Sequence, residues 1–113
     1  MSLIESNTLT ALGRYLNVAA FRQGLIATNM ANIDTPGYRT RDLDFRTELQ
    51  RSQCAKPQVS EVPGLLERPD GNNVSVDRES MLLAQTQLQF RVGVQLIRAE
   101  FRRFLTAINE GRQ

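Results

Sequence analysis

Leu9, Leu12, Leu16, Ala19, Ile26, Met30 and Ile33 recur at alternating steps of three and four, with Gln23 as the one polar member of the series. That spacing is a heptad seam. It predicts a helix from about Thr8 to Ala31, with Asn7 or Thr8 as N-cap. Ala11, Val18, Phe21 and Leu25 form a second stripe on roughly the opposite side, at ~100° per residue. Near the other end, Leu83, Gln87, Phe90, Val94, Ile97, Phe101, Phe104 and Ile108 repeat the pattern, again with one glutamine. They predict a second helix from about Arg78 to Asn109. Asp77 is its expected N-cap, and Val76 and Met81 are placed for a hydrophobic staple. Met81, Leu88, Val92 and Ala99 mark its far face. Gly93 reads as a weak point, worth roughly 1 kcal/mol against alanine.

Between the helices the helical period vanishes. Pro57, Pro63, Pro69 and the turn signal Asp70-Gly71-Asn72-Asn73 predict loop, with a short strand at 58–62 where apolar and polar residues alternate. The division is 1–38 for the first helix and its turn, 39–76 for an extended linker, and 77–113 for the second helix. The fold class is all-α: two long amphipathic helices packed as an antiparallel, coiled-coil-like hairpin, joined by a long polar loop with short β segments. A compact three- or four-helix bundle competes, but only two long periodic segments exist.

Two apolar faces per helix exceed what a hairpin can bury. Each large apolar side chain is worth about 1.5–3 kcal/mol when fully buried, and exposed stripes invite association. Self- or co-assembly is therefore expected, with Leu16, Phe21, Leu25, Leu88, Val92, Phe101 and Phe104 at subunit interfaces.

Composition narrows the chemistry. The 113 residues carry a net charge of only +2, contain 41% hydrophobic residues and lack both tryptophan and histidine. Without histidine, the commonest acid–base catalyst and metal ligand is missing. Cys54 is the only cysteine, so no intrachain disulfide is expected. Asp42 and Asp44, set among Arg39, Arg41 and Arg46, are better read as ionised and ion-paired than as tuned for proton transfer. No Ser/His/Asp, CxxC or phosphate-loop pattern occurs, so neither enzyme activity nor a cofactor or metal site is expected. No apolar run approaches the ~20 residues of a membrane span, and Met1 to Ser6 lack the features of a cleaved signal peptide. Arg91, Arg98, Arg102, Arg103 and Arg112 admit a small basic nucleic-acid-binding or adaptor coiled-coil protein as the alternative. Glu100 and Glu110 interrupt that charge, however, and no aromatic platform alternates with it, so nucleic acid is not the expected partner.

The sharpest local signal is the end of the first helix. Thr35, before proline, is pushed out of the helical region, Pro36 presets the first corner of a turn, and Gly37 supplies the positive φ of a type II turn. The run from Asn29 to Phe45, Asn-Met-Ala-Asn-Ile-Asp-Thr-Pro-Gly-Tyr-Arg-Thr-Arg-Asp-Leu-Asp-Phe, resembles the signature of the proximal rod proteins of the flagellar basal body, within the flagellar axial proteins. Asp70-Gly71-Asn72-Asn73-Val74, with Asp77, Glu79, Leu83 and Ala84, is similar to the start of their C-terminal helix and points to the FlgB-type family. Thr40, Thr86 and Phe90 stand where alanine, asparagine and tyrosine are usual. The resemblance implies a torque-transmitting structural subunit, exported without a cleaved signal into the periplasmic rod and packed helically around the export channel. It marks Asn29, Asn32, Thr35, Pro36, Gly37 and Tyr38 as the motif that fixes where the chain leaves the helical layer. It also sets Arg41, Asp42, Asp44 and Phe45 against an adjacent subunit. The partners implied are other rod proteins of the FlgC and distal types, the junction protein between rod and membrane ring, the export gate, and copies of itself.

Overall fold

Two long helices and a folded-back middle segment make up the chain in the computed structural model, which describes residues 3–51 and 55–111. Cys54 and Arg112 lie outside the described residues. The element order is α1 (Leu3–Ala31), β1 (Arg41–Asp42), α2 (Phe45–Gln50), β2 (Ser60–Glu61) and α3 (Val76–Gly111). The molecule is a rod of 71 × 24 × 18 Å. With 36 residues, α3 alone is about 54 Å long at 1.5 Å per residue. The long helices run antiparallel: Asn29 of α1 meets Glu79 of α3, and Leu16 meets Gly93.

Both helices begin earlier than their sequence signals suggested. Asn7 and Thr8 sit inside α1 rather than capping it, since a polar residue within a helix costs only fractions of a kcal/mol. In α3, Ser75 is the cap in place of Asp77. Its Oγ accepts from the Arg78 amide at 3.2 Å, and its carbonyl accepts from the Glu79 amide at 2.9 Å. Asp77 and Glu79 fall in the first turn, where negative charge suits the helix dipole. Val76 and Met81 are exposed and make no staple.

The seam of α1 packs as its spacing predicts: Ala19 and Ile26 are buried, and Leu9, Leu12, Leu16, Met30 and Ile33 are half-buried. The seam of α3 is rotated. Leu83, Val94, Ile97 and Phe104 of the expected seam are half-buried, but Gln87, Phe90, Phe101 and Ile108 are exposed, and the fully buried positions are Glu79, Leu82, Thr86 and Gly93. The shift amounts to about 70° around the helix at ~100° per residue. Gly93 is its physical reason. An added Cβ there would lie 2.7 Å from Leu16 Cδ2 and 3.0 Å from Tyr15 Cδ1, so the bare backbone of α3 receives these two side chains and turns that face inward.

The middle segment is not a free linker. Asp44 caps α2, accepting from the Thr47 amide at 3.2 Å, a one-turn signal too short for periodicity to reveal. β2 falls within the expected strand at 58–62 and pairs antiparallel with β1, in the register Arg41 to Glu61 and Asp42 to Ser60. The segment lies on α1: Leu43 is buried, and the Phe45 ring meets Tyr15 edge-on at 5.4 Å between centroids. Val18, in the second stripe of α1, is fully buried, while Phe21 and Leu25 are half-buried in a groove shared with Tyr38, Pro57 and Val59. The chain's own middle thus covers part of the stripe that periodicity alone had left open.

Candidate functional site: a buried polar junction

The two sequence motifs, more than thirty residues apart, dock against each other at the end of α1. Gly37 has φ +76° and Gly71 has φ +85°, and the Tyr38 amide returns to the Thr35 carbonyl at 3.2 Å, closing the Thr35–Tyr38 turn. The Gly37 amide then donates to the Asp70 carbonyl at 2.9 Å. A Cβ at Gly71 would lie 3.5 Å from Gly37 Cα, so the two turns touch backbone to backbone.

Asn72 and Asn73 complete this lock. The Asn72 side chain is buried and donates to the carbonyls of Asn32 and Thr35, at 2.9 and 2.8 Å. Both carbonyls also accept a backbone amide, from Thr35 and Tyr38 respectively, so Asn72 ties together the successive turns that follow α1. Arg68 reaches the Ile33 carbonyl in the same way. Asn73 Oδ1 accepts the Thr40 amide at 2.6 Å, and the Asn73 amide donates to the Tyr38 carbonyl at 3.3 Å.

Asn29 fixes the other side. Its Nδ2 donates to the Arg41 carbonyl at 2.8 Å and to Glu79 Oε1 at 3.2 Å. Its Oδ1 accepts from the Tyr38 hydroxyl at 2.8 Å and from the Arg41 amide at 3.1 Å. One buried amide therefore joins α1, the turn, β1 and α3. Asp42 extends the network, receiving both Nε and Nη2 of Arg22 at 3.0 Å and Arg78 Nη2 at 3.0 Å. Such a bidentate pair is the stronger, geometry-setting kind of ion pair. Burial works against ionisation of Asp42, but Arg22, the Leu43 amide and Arg78 outweigh it and hold its carboxyl below the ordinary range. Burial drives Glu79 the other way. Its carboxyl lies above its ordinary value, with the Asp42 charge adding to the rise while Asn29 and Arg78 offset part of it.

A second anchor sits midway along α1. Arg14 and Glu48 are both buried and paired at 3.3 Å, and Arg14 also donates to the Glu48 and Ala55 carbonyls. Glu48 further accepts from the Gln58 amide at 2.9 Å and from Arg51. Against the penalty of burial, these partners keep its carboxyl below its ordinary value.

The structure brings Asn29, Asn32, Thr35, Gly37, Tyr38 and Asp42 into one assembly. Asn32 contributes through its carbonyl, and its side chain accepts from the Thr35 hydroxyl at 2.9 Å. Pro36 and Gly37 are exposed at the turn, Arg41 is exposed, and Asp44 caps α2. Leu16 and Phe104 are half-buried, while Leu88, Val92 and Phe101 stand outside. Sequence reasoning passed over Arg14, Arg22 and Glu48, and it used Asn73 and Glu79 only as motif residues without a structural role. One signal was available: Arg22 lies inside an apolar stripe, beside Phe21 and Leu25, where a charge needs a partner. Among the described residues no group of three or more acidic, cysteine or histidine side chains is placed to hold a metal. No helix among them is long and apolar enough to cross a membrane.

No protein-family profile matches the chain. It is similar to the flagellar basal body rod protein FlgB of Escherichia coli K12, with 29% identity over 122 residues, covering 85% of this chain and 88% of that protein. FlgB of Salmonella typhimurium matches at 28% with the same coverage. FlgB of Bacillus subtilis matches at 29% over 130 residues, covering 99% of this chain and all of that protein.

Proposed function

This chain belongs to the FlgB family of flagellar basal-body rod proteins, structural subunits of the rod, and from that premise we propose that its helical hairpin is the unit that packs into the rod. In this reading the subunits pack helically around the export channel and transmit torque passively. The junction at Asn29, Asn72 and Gly37 sets the angle at which the middle segment leaves the helical layer. The neighbours are other rod proteins, of the FlgC and distal types, together with the junction protein to the membrane ring, the export gate and further copies of the chain. The subunit reaches the periplasmic rod by export without a cleaved signal.

The observation that carries this reading is the outer face of α3. Met81 and Leu88 are 64% and 59% exposed, and Val92 and Leu96 continue the same face. The four span on the order of 22 Å along the helix. An exposed apolar strip of that length is the mark of an interaction surface. Phe101 and Phe104 lie on the opposite side of α3, in the seam, and supply a second contact near the end of the helix. The half-buried Phe21 and Leu25, with Arg41, Asp42, Asp44 and Phe45, form the complementary side of the interface.

The test is complementation. In cells lacking the chromosomal copy, Leu88→Asp and Val92→Asp are expected to abolish swimming and rod incorporation. The purified variants should melt as the parent does, since both positions face water. Full motility with either variant refutes the assignment of this face.

A further inference from the structure

We propose that the flank of α3 carrying Phe90, Val94, Phe101 and Ile108 docks a helix of a different chain whose apolar seam is edged by a row of carboxylates. This rests on the rod-subunit reading and names the chemistry of one neighbour.

The spacing supplies the first argument. Positions 90, 94, 97, 101, 104 and 108 step by four and three, all aromatic or aliphatic, as the inner positions of a coiled coil do. The α1–α3 contact uses only one side of this seam. Ile97 and Phe104 are half-buried, while Phe101 is 53% exposed and Phe90 and Ile108 are also outside. Between the helices a groove remains open, lined by Gln23, Gln87, Phe90, Arg91, Val94 and Arg98.

Charge supplies the second. Arg91 and Arg98 each follow a seam residue by one and stand a heptad apart, at a position that selects partners in coiled coils. Arg102 lies beside them. All three are exposed, and no ion pair joins any of them to a described residue. Arg103 differs, pairing with Glu100 at 2.8 Å.

A second copy of the chain does not supply the complement. Residues 7–31 of α1 contain no aspartate or glutamate. The carboxylates of α3 stand at 77, 79, 100 and 110, with no two a heptad apart. At the turn end, Glu61 and Glu67 pair with Arg39, and Asp70 pairs with Arg68. The described chain thus holds a basic row beside an apolar seam and no acidic row to match it. The complement is a different helix.

The test uses the full chain and two synthetic helical peptides of about four heptads, with leucine and isoleucine at the inner positions. One peptide carries glutamate, the other lysine, at the flanking positions. The glutamate peptide should bind at least about tenfold more tightly at ~50 mM salt, with the gap narrowing at ~500 mM as screening grows. The double variant Arg91→Glu/Arg98→Glu should reverse the preference. Equal affinity for the two peptides overturns the proposal, as does failure to bind either. Self-association of the chain alone that Phe101→Asp removes would assign the flank to a second copy. Binding to anionic lipid vesicles but to neither peptide would assign it to a membrane surface. Motility of the Leu88→Asp strain reads the rod assignment separately, so the two ideas can fail independently.

Discussion

Gly93 of α3 stands so close to Leu16 of α1 that a single added methyl would come within 2.7 Å of the leucine Cδ2. Leucine can give way at its tip. Tyr15, whose ring would be met at 3.0 Å, has less freedom, because Phe45 packs edge-on against it. The helix–helix spacing therefore depends on a missing side chain.

Gly93→Ala separates local preference from packing. Helix propensity alone favours alanine by about 1 kcal/mol, whereas overpacking a closed contact costs about 1–3 kcal/mol. The variant is expected to melt several degrees lower by circular dichroism. A higher melting temperature would show that the contact relaxes freely.

The turn gives a different contrast. Nothing lies within 4 Å of a Cβ at Gly37, so substitution there meets only backbone strain at φ +76°. Gly37→Val, branched at Cβ, is expected to cost about 1–3 kcal/mol and to lower motility. Gly37→Asn, which tolerates this region, should cost clearly less. Equal losses in chemical denaturation would point to a steric role instead.

Asn72 acts through its two amide hydrogens. Asn72→Ala leaves the Asn32 and Thr35 carbonyls without that donor and should cost about 1–3 kcal/mol. Asn72→Asp keeps the shape but aims a carboxylate at the two carbonyls, so it should be the more damaging. Hydrogen exchange at the end of α1 reads the effect locally, and a harmless Asn72→Asp would rule the assignment out.

Acid stability follows from three carboxyls, two shifted down and one shifted up. Asp42 and Glu48 sit below their ordinary values when folded, so each contributes stability at neutral pH that is lost as pH falls through its folded value. Glu79 sits above its ordinary value. Its ionisation opposes folding at higher pH, and stability rises as pH falls from that raised value toward the ordinary one. Denaturant titrations across pH should therefore place the maximum on the acid side of neutrality. Glu79→Gln, which keeps the acceptor for Asn29 and Arg78, should flatten the slope on the alkaline side of that maximum without lowering neutral-pH stability. An unchanged profile would remove Glu79 from the account.

The helices and their stop were legible because their causes are local. Heptad spacing, apolar–polar alternation, the strain of a residue before proline and the positive φ of glycine act within a few residues, and the end of α1, the Thr35–Tyr38 turn and β2 lie where these rules place them. Asp44 capping α2 was also local, but one turn is too brief for a period to show. The face of α3 was legible only in part: Leu83, Val94, Ile97 and Phe104 are half-buried as the spacing predicts, but the fully buried positions lie to one side of them. Sequence periodicity marked Gln87, Phe90 and Phe101 as inner positions, yet the cleft at Gly93 draws Thr86 and Glu79 inward.

Residue order alone thus determined that two long amphipathic helices exist, where the first ends, and that they carry more apolar surface than a pair can hide. Tertiary structure decided which side of α3 faces α1, that the middle segment lies down on α1, and that Asn29, Asp42, Asn72 and Glu79 form one network. The reason is range: a helix forms from neighbours in the chain, whereas the rotation of one helix against another depends on which side chains, or which gap, meet across dozens of residues.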